Sequence, residues 1–211
     1  MRVMKDLQKT LKREYKFEGK GLHTGLKVNM TLAPAPINTG IVFIRTDIGP
    51  DAKVEAVVDY VTQTQRGTTL ENGEAKVSTI EHILSTFVGL GVDNAYILLD
   101  APEAPIMDGS AKPFVEAISP DGLLEQDAPR KYYEIKEEIA FRDQESGSEL
   151  ILLPGDSYEI DLTVDYNSKV LGVQKAYYSA ESTDYASEVA PCRTFCFFHE
   201  LEFLFRHNLI K

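Results

Sequence analysis

The spacing of apolar and polar residues changes period several times along the chain. Val28, Met30 and Leu32 alternate with Lys27, Asn29 and Thr31, a period of two that turns one face of a strand toward a core. Ile41 to Arg45 is a short apolar run rich in β-branched residues, and Val54 to Val61 reads as a further strand. The turn-rich stretch from Pro34 to Gly40 joins the first two. From Ser78 to Leu90 the period becomes helical, with Ile80, Ile83, Leu84 and Phe87 at i, i+3, i+4 and i+7 and Gly91 placed to close the helix. Ala95 to Asp100 predicts a buried strand, and Ala111 to Ile118 a brief helix with Pro113 in its first turn.

Ser119 to Arg130 carries two prolines, a glycine and several acidic or amide side chains, which predicts a linker. The expected division is a first α+β domain over 1–122, a linker over 123–131 and a second α+β domain over 132–211. Strands are expected again at Tyr133 to Phe141, Glu149 to Leu153 and Tyr158 to Tyr166, and helices at Thr183 to Ala190 and Phe198 to His207. Strands followed by helices, twice over, predict the α+β class. The first unit follows its main helix with another strand and helix, whereas the second ends at Lys211 directly after its helix. The second domain is therefore expected to be incomplete.

With 43% hydrophobic residues among 211, the chain can bury a core. Its 33 acidic against 22 basic side chains give a net charge of −11, a field that repels a phosphate backbone and argues against nucleic acid as partner. A local basic pocket for a phosphorylated small molecule stays compatible with that average. No apolar run approaches the ~18 residues a membrane span needs, and Met1 to Tyr15 lacks the apolar centre of a secretory signal. The expectation is a soluble cytoplasmic protein with no transmembrane segment, in which Cys192 and Cys196 are reduced thiols.

Candidate chemistry begins with the four histidines, His23, His82, His199 and His207. His199-Glu200 opens a two-histidine zinc pattern that fails at Phe203. His82 points away from the apolar stripe of its helix and shares a face with Ser85, Thr86 and Gly89, all small. Either a second element or a ligand approaches there, or the histidine is simply solvated. Glu81 admits two roles. With Ser78 three residues before it, the carboxylate completes a capping box; beside a metal-binding His82 it would take a proton from metal-bound water. Spacing alone does not choose between them. The glycines of Gly21-Leu22-His23-Thr24-Gly25 allow a tight hairpin or a close backbone approach. Pro105 to Ala111 reads as a turn in which Asp108 or Ser110 receives the first amides of the next helix.

Taken in order, Gly21-Leu22-His23-Thr24-Gly25, Thr39-Gly40-Ile41-Val42-Phe43, Gly67-Thr68-Thr69-Leu70, Ser78-Thr79-Ile80-Glu81-His82-Ile83-Leu84, Gly89-Leu90-Gly91-Val92-Asp93-Asn94-Ala95, Pro105-Ile106-Met107-Asp108-Gly109-Ser110-Ala111 and Arg193-Thr194-Phe195 resemble one family. It is that of the zinc-dependent UDP-3-O-acyl-N-acetylglucosamine deacetylases of bacterial lipid A synthesis. The resemblance runs from about Lys9 to the last residue. It implies two domains of similar topology, each a β-sheet with helices packed between the two sheets, and an active site where the domains meet. It implies Zn²⁺ held by two histidines and an aspartate with water as the fourth ligand, and UDP-3-O-acyl-N-acetylglucosamine as substrate. By the same resemblance His82 is a zinc ligand, Glu81 the general base and Thr194 a hydrogen-bond donor to the oxyanion. His23, Thr24, Gln65, Arg66, Gly67 and Thr68 match substrate-binding positions, and Phe195 and Leu201 match the sugar and acyl-chain path.

One departure from the family concerns the remaining ligands, which lie in a His-x-x-x-Asp segment. Position +4 is Lys27 after His23, Thr86 after His82, Phe203 after His199 and Lys211 after His207. One ligand of three is present, so the expectation is a C-terminally truncated chain with an incomplete zinc site and little turnover of its own. Some family members also carry a fused 3-hydroxyacyl-carrier-protein dehydratase. An uncovered sheet edge in the shortened domain would favour self-association. The alternative is a non-catalytic paralogue that binds a nucleotide sugar or an acyl chain without a metal.

Overall fold

The computed structural model describes residues 6–207. The start of the N-terminal pattern read from Met1 and the chain end at Lys211 lie outside them. The chain is α+β, and its described residues fall into two compact units, one within Met1–Arg130 and Tyr185–Lys211, the other Lys131–Asp184.

In the first unit, β1 (Leu7–Leu11), β2 (Tyr15–Lys20), β3 (Lys27–Pro34), β4 (Ile41–Arg45), β5 (Lys53–Glu55), β6 (Val61–Gln63), β7 (Thr69–Asn72) and β8 (Ala75–Ser78) precede helix α1 (Glu81–Leu90). Strand β9 (Ala95–Leu99), helix α2 (Lys112–Ile118) and β10 (Leu123–Pro129) follow. A five-stranded sheet has the order β2-β3-β9-β4-β5, a three-stranded sheet the order β6-β7-β8, and β1 pairs with β10. All neighbours are antiparallel except β4 and β9.

Strand β9 is central because its alternate residues Ala95, Ile97 and Leu99 are fully buried. Met30 sits opposite Leu99, and Leu32 and Phe43 flank Ile97 from either side, so one sheet face presents a continuous apolar surface. Ile83 and Phe87 of α1 and Phe114 and Ile118 of α2 complete that core. Each such side chain contributes about 1.5–3 kcal/mol by leaving water. Gly91, at φ 80°, ends α1 in the left-handed backbone that glycine adopts without strain. The amide of Val92 then returns to the Phe87 carbonyl at 2.8 Å.

The second unit holds two antiparallel hairpins, β11 (Ile139–Arg142) with β12 (Glu149–Leu152) and β13 (Glu159–Asp165) with β14 (Val173–Ser179). A single π-helical turn, Tyr185–Val189, and helix α3 (Phe198–Arg206) belong to the first unit. Among the described residues no helix is long and apolar enough to cross a membrane.

Several expectations are corrected. Residues 123–129, expected within a linker, form β10, and Pro129 is accommodated because it stands at the strand end opposite Leu7. The segment 185–206, expected in the second domain, lies with the first unit. The run Val54 to Val61 is broken by a 3₁₀ turn, Val58–Tyr60, in which Val58 is exposed. Of the strand expected from Tyr133, only Ile139 onward pairs, and the helix expected over 183–190 is reduced to the π turn. Helix α1 starts at Glu81 rather than Ser78, because the Ser78 amide already donates to the Pro102 carbonyl at 2.9 Å as part of the strand.

Candidate active site

Two chain reversals bring the candidate residues to one place. The β2–β3 hairpin is closed by the Gly21 amide on Leu26 O at 3.0 Å and the Gly25 amide on Gly21 O at 3.1 Å, and it presents His23 and Thr24. The β8–α1 junction presents Thr79, at φ 57°, then Glu81 and His82. A left-handed backbone is unusual for a β-branched residue, so Thr79 requires outside support.

That support is Glu103. Its side chain is buried, 1% exposed. It accepts the His23 amide at 3.0 Å, the Thr24 amide at 2.8 Å, the Thr24 hydroxyl at 2.8 Å and the Thr79 hydroxyl at 2.9 Å. Burial pushes its carboxyl up, but the His23 and Thr24 amides and the two hydroxyls outweigh this and hold it below the ordinary value of 4.5. Backbone bonds on either side, Ser78 N to Pro102 O and Ala104 N to Ser78 O at 3.1 Å, seat Glu103 beside the β8 end. A Cβ at Gly21 would lie 2.3 Å from Glu103 Oε2, so only glycine leaves room for the carboxylate.

Glu81 is half-buried and does not cap its own helix; its Oε2 accepts the Thr68 amide at 3.2 Å. A Cβ built on Gly67 would stand 3.3 Å from Glu81 Oε1, 3.7 Å from Thr79 Oγ1 and 4.0 Å from His23 Nε2. An acid, a hydroxyl and an imidazole thus border one small space at Gly67. His23 Nε2 also lies 3.3 Å from the Arg66 carbonyl. Gln65 is exposed in the same loop. Arg66, at φ 58°, reaches Glu200 of α3 at 3.1 Å. The Phe197 amide and then this guanidinium hold the Glu200 carboxyl below its ordinary value.

His82 is half-buried, and its carbonyl accepts the Thr86 hydroxyl at 2.9 Å. The small residues on its face are explained in part by Tyr185, whose ring would lie 2.3 Å from a Cβ at Gly89 and whose hydroxyl bonds Ser85 Oγ at 2.8 Å. Thr194 is exposed and joins the turn before α2, its amide donating to Gly109 O at 2.8 Å. In that turn Asp108 accepts the Ser110 hydroxyl, which lowers its carboxyl together with the Ser110 amide and the nearby charge of Arg193. Phe195 is exposed and stacks edge-on with Phe197, and Leu201 is half-buried on α3.

The structure therefore gathers His23, Thr24, Gly67, Thr68 and Glu81 around Glu103 and Thr79, and attaches Thr194 to Gly109. Among the described residues no group of three His, Cys, Asp or Glu side chains converges as metal ligands do. Glu103 and Thr79 were not picked out from the sequence. The available signal was one carboxylate between Ala101-Pro102 and Ala104-Pro105, an apolar setting that a solvated glutamate does not need.

The family model described as LpxC, UDP-3-O-acyl N-acetylglycosamine deacetylase, matches residues 8–211. The chain is 46% identical over 204 residues to the bifunctional enzyme LpxC/FabZ of Porphyromonas gingivalis, covering 97% of the chain and 44% of that relative. It is 45% identical to the UDP-3-O-acyl-N-acetylglucosamine deacetylase of Pseudomonas entomophila, covering 96% of the chain and 67% of that relative. The chain thus spans less than half the length of the bifunctional relatives, at 44%, and 67% of the single-function ones.

Proposed function

The chain belongs to the UDP-3-O-acyl N-acetylglycosamine deacetylase family, and from that premise we propose that it carries the acid–base part of a hydrolase that removes the N-acetyl group of UDP-3-O-acyl-N-acetylglucosamine. The observation that carries this reading is the setting of Glu81. The Ser78 amide is taken by Pro102, and the Glu81 carboxylate borders the space at Gly67 together with the His23 imidazole and the Thr79 hydroxyl.

The chemistry follows from that setting. The Thr68 amide holds Oε2 of Glu81, and Oε1 faces Gly67. Held this way, the carboxylate takes a proton from water as the water oxygen bonds to the acetamide carbon. The Thr194 hydroxyl donates to the carbonyl oxygen as it gains negative charge, an interaction worth about 3–4 kcal/mol in such sites. The carbon–nitrogen bond then breaks, the nitrogen takes the proton back from Glu81, and acetate and a free 2-amino group result. His23, Thr24, Gln65, Arg66, Gly67 and Thr68 border the substrate, with Phe195 and Leu201 along the sugar and acyl path.

His82 would offer one imidazole to Zn²⁺, which when bound polarises the carbonyl and brings the pKa of its water to about 7. Catalytic zinc takes about three protein ligands. The described residues gather no such set, so they do not fit a complete zinc centre, and the steps above use only side chains of this chain. For the whole protein the reading implies two α+β domains of like topology.

Free amine released from UDP-3-O-acyl-N-acetylglucosamine by the full-length protein that carries this chain tests the proposal. Glu81→Ala should lower kcat by about 10²–10⁴-fold with zinc content unchanged, whereas His82→Ala should lower zinc content itself. Full activity in Glu81→Ala would refute the role given to it. Tight binding of the nucleotide sugar without amine release would favour the non-catalytic paralogue.

A further inference from the structure

We infer that Glu103 is the positioning residue of this site: its buried carboxylate ties the His23–Thr24 backbone to the Thr79 turn and so fixes the two segments from which the His23 ring and the Glu81 carboxylate border the space at Gly67. The inference rests on the hydrolase reading for its kinetic consequence and on the hydrogen bonds alone for its structural one.

Every partner of Glu103 is a donor. The amides of His23 and Thr24 cannot do otherwise, and the hydroxyls of Thr24 and Thr79 donate to it as well. A neutral amide side chain of the same shape would turn an NH₂ group toward one of the two backbone N–H groups, so the site calls for an ionised carboxylate. A buried charge is tolerated only when its hydrogen bonds are supplied in this way. The bonds also reach opposite parts of the sequence, 79 and 80 residues upstream for Thr24 and His23 and 24 upstream for Thr79. Thr79 occupies a sparsely populated backbone region, which persists only where the surroundings over-determine it. It stands two residues before Glu81, so the direction of that turn sets the direction from which Glu81 reaches Gly67. Gly21 reinforces the point, since any side chain there would displace Glu103 Oε2.

The test is Glu103→Gln, with two readouts. Amide hydrogen exchange, measured on the chain itself, should show His23 and Thr24 exchanging at least about tenfold faster while Ile97 in the central strand keeps its protection. In the full-length protein kcat for amine release should fall about a hundredfold with KM little changed, the effect of a displaced reacting group rather than of lost substrate contacts. Unchanged exchange at His23 and Thr24, or equal loosening at Ile97, overturns the inference. A wild-type protein that releases no amine but shows the local exchange change refutes the hydrolase reading and leaves the anchoring role intact. Should Glu103→Gln fail to fold, Thr79→Ser and Thr79→Val decide. The serine variant should keep the rate and the valine variant lose about tenfold or more; equal rates would overturn the inference.

Discussion

At the scale of the residue, the charge on Glu103 links acidity to stability. Its folded value lies below the ordinary 4.5 despite burial, while the unfolded chain lacks the four donor groups and keeps the ordinary value. The ionised form therefore stabilises the fold, with the contribution fully present above about pH 4.5 and lost as pH falls through the lower folded value. Thermal melts from about pH 6 down to pH 3 should show Glu103→Gln less stable than wild type at the upper end and less sensitive to acid, so that the two curves converge. Parallel curves would show that this carboxylate is not what titrates. Gly21→Ala reaches the same group sterically. Its Cβ would fall 2.3 Å from Glu103 Oε2 and 2.4 Å from Thr24 Oγ1, and a loss of about 1–3 kcal/mol in denaturant unfolding is expected.

At the scale of the element, α1 shows how a neighbour reverses an intrinsic preference. In an open helix, Gly89→Ala would gain about 0.5–1 kcal/mol. Here the new methyl would meet the Tyr185 ring at 2.3 Å, so a net loss of about 1–3 kcal/mol is expected, and removing the ring as well, in Gly89→Ala with Tyr185→Ala, should recover part of it. The apolar stripe of α1 was legible because burial of one face dictates its spacing. The smallness of Ser85 and Gly89 correctly signalled a close approach, and a tyrosine accounts for it at those two positions. Of the two roles that spacing leaves open for Glu81, the capping box does not form because the Ser78 amide is claimed by Pro102, 24 residues further on, and no local pattern reveals that. Glu103 escaped notice for a like reason: its donors come from two distant turns. Strand β14 was missed because Val173-Gln174-Lys175-Ala176-Tyr177-Tyr178-Ser179 carries no apolar–polar alternation to read, and the segment 123–129 looked like a linker because its pairing with β1 crosses nearly the whole first unit.

At the scale of the whole molecule, surface and sequence separation matter most. The β11–β12 hairpin exposes Phe141 at 65%, with Ile139, Leu150 and Leu152 also exposed. Exposed apolar strands favour edge pairing, and the net charge of −11 opposes it. The 211-residue chain by itself should therefore associate more as salt screens that repulsion, and Phe141→Lys should reduce the effect in light scattering; a monomer at all salt concentrations would contradict this. The contacts of the site also differ in when they can form. His23, Gly67, Thr68, Thr79 and Glu103 all lie at or before residue 103, whereas Tyr185 returns to Ser85 across 100 residues and Glu200 to Arg66 across 134. A nascent polypeptide leaving the ribosome at about 5–20 residues per second would release all of these residues several seconds before Tyr185 and Glu200 emerge to join them. Translation order thus makes the surroundings of Glu81 available for pairing before their outer clasps exist.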